Sequence, residues 1–287
     1  MNPGAGVPPD RWAGRACAWP RRPQSLERVR IVAPAELRRW IVFEDERLLV
    51  VDKPGDVVCH PSKAGPWSSL VGALRELTGL PTVHLVFRLD RETSGLVVVA
   101  KDAGAAGHLQ TALQERRIGK VYLALLMGRL ETETLVEQPL GDDLASPVFT
   151  KSAVVAEGEG KAAVTRFQPQ AYSPDGSLSL VRVMPVTGRK HQIRAHAQWL
   201  GRSILGDKIY GPDARLYLEF ITTGWTPALA ARLGLPRQAL HCAGIDLTRA
   251  GFPHVFSAPL AADLLECCAR AELPVPAEWR PRPPAGD

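Results

Sequence analysis

Cysteines and aromatic residues are few in this sequence, and long hydrophobic runs are absent. The five cysteines are scattered, with neither a C-x-x-C pair nor a metal-like spacing to histidine, so we expect reduced thiols and no zinc site. The longest apolar runs, residues 96–100 and 121–127, are far shorter than the roughly 20 residues that span a bilayer. No secretory signal opens the chain, and we therefore expect a cytoplasmic protein that does not contact membranes.

Excess positive charge is also scarce outside the N-terminal region. The formal net charge is +5, and residues 1–40 alone hold eight arginines against three acids. The remainder is formally neutral, so a polyanion-binding face there requires segregated charge. One window provides it, with a single acid, Asp207, among six basic residues. These are Arg182, Arg189, Lys190, Arg194, Arg202 and Lys208. Such a stripe is typical of surfaces that hold phosphate backbones, although a solvated surface is the other interpretation.

The chain is long enough for one large folded domain or two small ones, with 287 residues of which 45% are hydrophobic. Residues 1–40 read as a flexible extension rich in arginine and proline, and residues 276–287 as a proline-rich tail. No linker divides the region between them. We therefore expect one folded domain over residues 41–275.

Strand candidates outnumber helix candidates. The strand candidates are residues 41–43, 48–52, 96–101, 120–127, 153–156, 162–168, 178–184 and 238–247. The helix candidates, each with an apolar face, are residues 67–77, 103–116, 190–200, 227–233 and 261–271. Because strands and helices do not alternate strictly, the order favours an α+β fold on a mixed or antiparallel sheet over a doubly wound α/β layout.

The most informative segment is residues 86–95, VFRLDRETSG, which runs directly into an apolar strand. It places Asp90 between Arg88 and Arg91 at a tight polar turn. Taken alone, an acid in this setting is often a surface salt-bridge residue. A carboxylate fixed at such a turn is also a candidate nucleophile.

Three further segments carry chemistry. Residues 44–55 form a strand that ends in a Lys-Pro-Gly turn, and residues 119–125 form a strand with one aromatic residue, Tyr122. Residues 184–196, MPVTGRKHQIRAH, turn through Thr-Gly into a segment rich in hydrogen-bond donors, and residues 205–211, LGDKIYG, close the set.

These segments, in this order and spacing, resemble the RluA-type family of pseudouridine synthases, which convert selected uridines of structured RNA to pseudouridine. The strings R-L-D-x-x-T-S-G and T-G-R-x-H-Q-I-R-x-H carry the resemblance, which extends over residues 41–265. It implies a large curved mixed, mostly antiparallel sheet with flanking helices and a central catalytic cleft. Residues 41–275 are then the catalytic domain.

The resemblance also implies roles for individual residues. Asp90 matches the essential aspartate of the family, Tyr122 the tyrosine that stacks on the target uracil, and Arg194 the basic residue that pairs with the aspartate. Arg88 matches the arginine that enters the RNA where the target base has left. Outside this context, Tyr122 would be predicted to pack in the hydrophobic core, and Arg194 would be predicted to cover the edge of the sheet.

Contacts with RNA are expected from Arg189, Lys190 and His191, where exposed amides at a helix start could assist phosphate binding. His191 and His196 are five residues apart, off the four-residue spacing of helical zinc ligands. We expect no metal, no cofactor and a monomer, with ribosomal or transfer RNA as the partner.

The chemistry agrees with this assignment. Pseudouridine formation breaks the bond between uracil and ribose and rejoins the base through carbon 5, so no redox cofactor is required. An ionised carboxylate can attack either the anomeric carbon or carbon 6 of the ring. A guanidinium at Arg194 would lower the pKa of Asp90. The target nucleotide must be flipped out of its stack, which costs a few kcal/mol.

Two positions depart from the family pattern. Phe87 stands where the family commonly has histidine, and Pro54-Gly55-Asp56 replaces the usual Pro-x-Gly order.

Two other functions are alternatives to this assignment. One is a non-catalytic RNA-binding or ribosome-assembly protein on the same fold, which has no need of an unpaired carboxylate facing a polyanion. The other is an aspartate-based hydrolase, for which paired acids or metal ligands are missing.

Overall fold

The computed structural model describes residues 30–60 and 65–281. Most of the expected N-terminal extension and the last six residues of the expected C-terminal tail lie outside the described residues. The sequence predicts irregular chain ends, and this prediction is wrong for two described segments, which are helical. A helix forms at Pro34–Trp40, and the short 3-10 helix Ala277–Trp279 buries the Trp279 side chain. Apolar side chains drive both, since Leu37 is also fully buried.

The described strands are β1 (Ile41–Glu44), β2 (Leu48–Lys53), β3 (His84–Leu85), β4 (Ser94–Ala100), β5 (Gly119–Met127), β6 (Thr134–Val136), β7 (Leu140–Asp142), β8 (Ser152–Val154), β9 (Thr165–Tyr172), β10 (Leu178–Pro185), β11 (Leu240–Asp246) and β12 (Val255–Ser257). Ten of them form one sheet in the order β1-β2-β4-β11-β5-β10-β9-β6, with β3 on β4 and β12 on β11. β7 and β8 form a separate hairpin. Among the pairs of described strands, β4–β11 alone is parallel, so the expected mixed, mostly antiparallel sheet is confirmed.

The described helices are α1 (Pro34–Trp40), α2 (Leu70–Thr78), α3 (Ala103–Gln114), α4 (Gln192–Trp199), α5 (Arg215–Thr223), α6 (Pro227–Leu233) and α7 (Ala262–Arg270). All eight predicted strands and all five predicted helices are present, and all except α6 have shifted ends. The sequence patterns missed α1 and α5 and the short strands β3, β6, β7 and β12. One shift matters for the site, because the helix expected from residue 190 begins at Gln192.

One row of residues across four strands positions the site. Gly95 on β4 is in register with Cys242 on β11, Cys242 with Tyr122 on β5, and Tyr122 with Val183 on β10. The Asp90 turn enters at one end of this row, since it immediately precedes β4. The segment that leads to α4 leaves at the other end, since it follows β10. Tyr122 therefore lies between the two most specific sequence motifs.

The interior is apolar. All seven residues of β4 are buried, as expected from its sequence, and residues 96–100 belong to the main hydrophobic cluster around the sheet. Four described cysteines are free and buried, whereas Cys17 lies outside the described residues. Across residues 30–60 and 65–281, no helix combines the length and apolarity needed to cross a bilayer.

Candidate active site

A cleft of about 520 Å³ opens above the row of residues that contains Tyr122. Its walls come from the Asp90 turn, from β5, from the start of β11 and from the segment that joins β10 to α4. Asp90, Tyr122 and Arg194 all line it, as do the four residues expected to bind RNA. Segments far apart in the sequence thus share one cavity.

A buried arginine links two carboxylates at the base of the cleft. Nη1 of Arg194 donates to Oδ2 of Asp90 at 2.7 Å. The other edge of the guanidinium binds Asp207, with Nε to Oδ2 at 2.7 Å and Nη2 to Oδ1 at 2.8 Å. Arg194 is 6% exposed and Asp207 0%, whereas Asp90 keeps 33% of its side chain accessible. The expected Arg194–Asp90 contact is present, and Asp90 faces the cleft.

This network keeps both acids ionised. Burial alone would raise the pKa of Asp90, but Arg194, His191 and a hydrogen bond from Gln238 together lower that pKa below its ordinary value. Burial likewise opposes ionisation of Asp207, and the attraction of Arg194 outweighs it, so the pKa of Asp207 is also lowered. Asp90 is therefore an anion at neutral pH.

The turn that carries Asp90 is held by side chains from three other segments. Nζ of Lys53 donates to the carbonyl of Arg91 at 3.2 Å and to the carbonyls of Pro54 and Val57 at 2.9 Å. Lys53 is fully buried, and burial lowers its pKa to about 8. Because an unpaired buried carbonyl is costly, these bonds fix the local backbone.

Two further cations hold the other side of the turn. Nζ of Lys208 binds Oε1 of Glu92 at 2.6 Å, and Nη1 of Arg237 donates to the Glu92 carbonyl at 3.1 Å. Nε2 of Gln238 donates to the Thr93 hydroxyl at 2.6 Å. Glu92 thereby joins the Asp90 turn to the chain that enters β11. The carboxylate of the neighbouring Asp90 is presented on a rigid support.

Tyr122 is 7% exposed, and its ring forms part of the cleft wall. Burial, together with the nearby Cys242 thiol, raises the pKa of the phenol well above its ordinary value. The hydroxyl is therefore neutral at physiological pH. An aromatic face and a neutral hydroxyl are the two features that Tyr122 offers a bound ligand.

His191 lies between Asp90 and Tyr210. Its Nε2 is 3.8 Å from Oδ2 of Asp90, and its Nδ1 is 3.1 Å from the Tyr210 hydroxyl. That hydroxyl already accepts the backbone N–H of Ser152 at 2.7 Å, so its own proton is free to be donated to Nδ1. Burial and Arg194 lower the pKa of His191 to about 4. The His191 ring is therefore neutral, and its remaining proton is on Nε2, directed toward Asp90.

The residues expected to contact RNA occupy the rim. Arg88, Arg189 and Lys190 are exposed and line the cleft. Amides at the helix start are less available than expected, because the Arg189 N–H donates to the side chain of Gln192 at 2.9 Å. His191 precedes the helix with a left-handed φ of 55°, which explains why α4 begins two residues later than the sequence pattern predicted.

The sequence-based prediction of a basic surface stripe is wrong in part. Arg194 and Lys208 are buried in ion pairs with Asp207 and Glu92, so they contribute to the base of the site and not to a surface. Asp207, read as the single acid facing the stripe, is a fully buried partner of Arg194. The exposed cations Arg189 and Lys190 remain.

Both departures from the family pattern have a local explanation. Phe87 lines the cleft, and Nζ of Lys120 lies 5.4 Å from the centre of its ring, so an aromatic–cation contact occupies this position. In the Pro54-Gly55-Asp56 turn, Asp56 adopts a φ of 68°. Aspartate tolerates this left-handed conformation better than most residues, which allows the turn to form.

Sequence reasoning missed three supporting residues: Asp207, Tyr210 and Lys53. Two of them lie in the segment 205–211, which the motif comparison included without assigning a role. The signal was an acid and an aromatic residue in a glycine-bounded segment, LGDKIYG. Among the described residues, no group of three or more histidine, cysteine, aspartate or glutamate side chains is arranged to hold a metal ion.

Comparisons with known proteins agree on one family. The family model described as RNA pseudouridylate synthase matches residues 47–199. A Zymomonas mobilis protein named ribosomal large subunit pseudouridine synthase D is 36% identical over 232 residues, covering 78% of this chain and 68% of that protein. A Saccharomyces cerevisiae protein named mitochondrial tRNA pseudouridine(32) synthase is 38% identical over 176 residues, covering 60% of this chain and 37% of that protein.

A solved structure supports the same conclusion. The human protein named RNA pseudouridylate synthase domain containing 4 superposes with a TM-score of 0.66 at 25% identity. The superposition covers 85% of this chain and 97% of that structure. The similarity therefore extends over most of the chain.

Proposed function

Because the chain belongs to the RNA pseudouridylate synthase family, we propose that its cleft binds a uridine flipped out of a structured RNA and that Asp90 acts on it as the nucleophile. The family reaction is an isomerisation of uridine to pseudouridine. The observation that carries the role of Asp90 is its ion pair with buried Arg194 at 2.7 Å, which holds the acid ionised and facing the cavity.

The reaction needs no external group. The bond from ring nitrogen 1 to the anomeric carbon breaks, a bond from ring carbon 5 to that carbon forms, the carbon 5 proton leaves and nitrogen 1 gains a proton. An oxygen of Asp90 attacks either the anomeric carbon or ring carbon 6 to start this sequence, and Arg194 stabilises the carboxylate whenever it is free.

The detached base has to stay in the cleft while it turns. The Tyr122 ring provides a face for stacking, which contributes about 1–3 kcal/mol per base in single-strand binders. With its pKa raised, the Tyr122 hydroxyl can donate a hydrogen bond to the uracil, whereas it is a poor base for the carbon 5 proton.

Arg88 replaces the flipped base in the RNA. It lies two residues before Asp90, is exposed and lines the same cleft. A guanidinium at this point can fill the space that the uracil leaves and bind a phosphate, which offsets part of the few kcal/mol lost on unstacking. Arg189 and Lys190 at the rim bind the flanking backbone, and neutral His191 contributes a hydrogen bond near the ribose.

The substrate is ribosomal or transfer RNA, as in the names of the two relatives, and the protein acts as a monomer in the cytoplasm without a metal. Residues 41–275 form the catalytic unit. The competing role is RNA binding without catalysis. That role gives no reason to hold a carboxylate charged and exposed beside a polyanion, since the charge only weakens binding.

The test is a map of pseudouridines in cells with and without the protein. One or more uridines of ribosomal or transfer RNA should lack the modification in the deletion strain and regain it with the wild-type gene. The gene for Asp90→Asn should restore none of them at equal protein level. An unchanged map in the deletion strain would refute the activity, and full restoration by Asp90→Asn would refute the nucleophile.

A further inference from the structure

The hairpin of β7 and β8 carries two large apolar side chains at its tip. Leu144 is 96% exposed and Phe149 is 95% exposed. The next most exposed large hydrophobic side chain in the described part of the chain, Val255, is 68% exposed. Single exposed apolar residues are common on protein surfaces, but two on one short loop form a small apolar surface that needs an explanation.

The tip is anchored by its neighbours. Val148, directly before Phe149, is buried in a small cluster with Ile209 and Tyr210. The loop closes through hydrogen bonds from Asp143 N to Lys151 O at 3.0 Å and from Lys151 N to Val148 O at 2.9 Å. Val148 is 2% exposed and the neighbouring Phe149 is 95% exposed. The Phe149 ring is therefore at the surface of a loop that is anchored on its inner side.

The hairpin is fastened to the cleft on both strands. On β7, Asp142 accepts an ion pair from Nζ of Lys190 at 2.9 Å, and on β8 the N–H of Ser152 donates to the Tyr210 hydroxyl that contacts His191. Leu144 is two residues from the first contact and Phe149 three from the second, so the extended chain places them within about 7 Å of Asp142 and about 11 Å of Ser152. Asp142 and, through Tyr210, Ser152 connect the tip to Lys190 and His191 of the cleft.

The tip can approach a polyanion without repulsion. Residues 144–150, LASPVFT, carry no charge. Both acids that precede them are paired with lysines, Asp142 with Lys190 and Asp143 with Lys151 at 3.1 Å. An uncharged tip offers phosphates no cation to bind. A phenyl ring and an isobutyl group instead match the flat apolar face of a nucleobase.

We propose that Phe149 and Leu144 contact nucleobases of the substrate RNA that flank the flipped uridine. This rests on the proposed function only in taking the substrate to be RNA. Stacking on an exposed aromatic ring changes affinity by roughly 5- to 100-fold per base. The tip therefore helps to select targets in which bases beside the uridine are unpaired and able to stack.

Kinetics on RNA isolated from cells that lack the protein provide the first test. Phe149→Ser should raise KM by about 10-fold with kcat within twofold, because the ring binds RNA without touching the reacting atoms. Phe149→Tyr should restore KM, and Val255→Ser, remote from the cleft on β12, should leave both constants unchanged. Wild-type KM in Phe149→Ser would overturn the proposal.

Salt dependence separates this contact from phosphate binding. Phe149→Ser should weaken RNA binding at every salt concentration while leaving the slope of log affinity against log salt unchanged. Arg189→Ala should reduce that slope, since one phosphate contact is lost and the ion pair that anchors the hairpin is kept. A reduced slope in Phe149→Ser would contradict a contact with bases.

Photocrosslinking identifies the molecule that contacts the tip of the hairpin. A photoreactive phenylalanine analogue at position 149 should crosslink to RNA next to the modified uridine, and the same analogue at position 255 should not. Crosslinking of position 149 to a second copy of the chain, or to nothing, would overturn the proposal. If the wild-type protein forms no pseudouridine, the proposed function fails, while the RNA crosslink still decides whether the tip binds bases.

Discussion

At the residue scale, one guanidinium serves two carboxylates in different ways. Asp207 takes the Nε edge of Arg194 with two hydrogen bonds, which fixes the plane of the guanidinium and leaves Nη1 directed at Asp90. Asp207 is also held, since its Oδ1 accepts the backbone N–H groups of Ile209 and Tyr210 at 3.0 Å. Asp207 is therefore a positioning residue that acts on Asp90 through Arg194.

Asp207→Asn tests this arrangement. The amide can still accept the two backbone hydrogen bonds, so the main loss is the charge that compensates buried Arg194. We expect a loss of about 3 kcal/mol in the free energy of unfolding at pH 7, measured by urea denaturation.

The pH dependence of this loss follows from the lowered pKa of Asp207. The ionised carboxylate stabilises the fold above about pH 4, and this stabilisation disappears as the pH falls through the pKa that Asp207 has in the folded protein. Wild type and variant should therefore converge in acid, and a constant difference down to pH 2 would contradict the account.

The pH profile of turnover follows from the same groups. The pKa of Asp90 is lowered by Arg194 once burial is offset, and the pKa of His191 is lowered to about 4. Neither group changes its charge between about pH 5 and pH 7. We expect kcat/KM to be flat across this interval at constant ionic strength. An acid limb centred near pH 6.5 would mean that His191 titrates as a free histidine and would contradict the geometry.

Much of the site could be predicted from the sequence because two dense motifs carry it. Asp90 and Arg194 lie in strings that define a local turn and the start of a helix, so their types and spacing were informative. The partners were missed because they act through loop conformation. Lys53 reaches the carbonyl of Arg91 across 38 positions, and Tyr210 reaches Ser152 across 58. No local pattern encodes such contacts.

At the element scale, the parallel contact between β4 and β11 sets the position of the Asp90 turn. Gly95 permits it with a φ of 107°, and a Cβ at this position would lie 2.5 Å from the backbone nitrogen of Cys242. The conformation and the close approach both require glycine. Any shift between the two strands would move the turn relative to Tyr122, because Gly95, Cys242 and Tyr122 share one row.

Gly95→Ala should therefore destabilise the fold by about 3 kcal/mol or more, through strain at a positive φ and displacement of β11. The matched control is Gly107→Ala, since a Cβ there on helix α3 meets nothing within 4 Å. That control should stabilise the protein by about 0.5–1 kcal/mol. Denaturant midpoints measure both, and equal stability of Gly95→Ala and wild type would contradict the role of the close approach.

Element type was predictable where the hydrophobic pattern was regular. The apolar run of β4 and the amphipathic α6 were found, and α6 was found with the observed ends, Pro227–Leu233. Helix α5, Arg215–Thr223, was missed because its sequence, RLYLEFITT, is rich in aromatic and β-branched residues that favour strands. Helix α1 was missed because an arginine-rich context concealed a single buried leucine, Leu37.

At the scale of the whole molecule, charge is divided between the ends and the cleft. Residues 1–29 hold five arginines against two acids, and they lie outside the described residues. In the cleft, Arg194 is committed to a buried ion pair, whereas Arg88, Arg116, Arg189 and Lys190 are exposed on its walls. We expect the extension to add nonspecific attraction of RNA to the contacts of these cations, and the cleft to recognise the uridine.

Deletion of residues 1–29 should weaken RNA binding and flatten its salt dependence, because each lost phosphate contact reduces the slope by about one unit. The value of kcat at saturating RNA should change less than twofold, since Asp90, Tyr122 and Arg194 are untouched. Filter binding over a salt series and single-turnover kinetics measure the two effects. An unchanged slope after the deletion would remove the extension from RNA binding.

Single-turnover pseudouridine formation by purified Asp90→Asn, compared with its affinity for the same RNA, tests the central claim most directly. Asparagine keeps the shape of the side chain and a hydrogen-bond acceptor for Arg194, but it cannot form the covalent bond to the nucleotide. We predict a rate at least about 10³-fold below wild type, with RNA affinity equal to or tighter than wild type because a negative charge has left the cleft. A turnover rate within tenfold of wild type would contradict nucleophilic attack by Asp90.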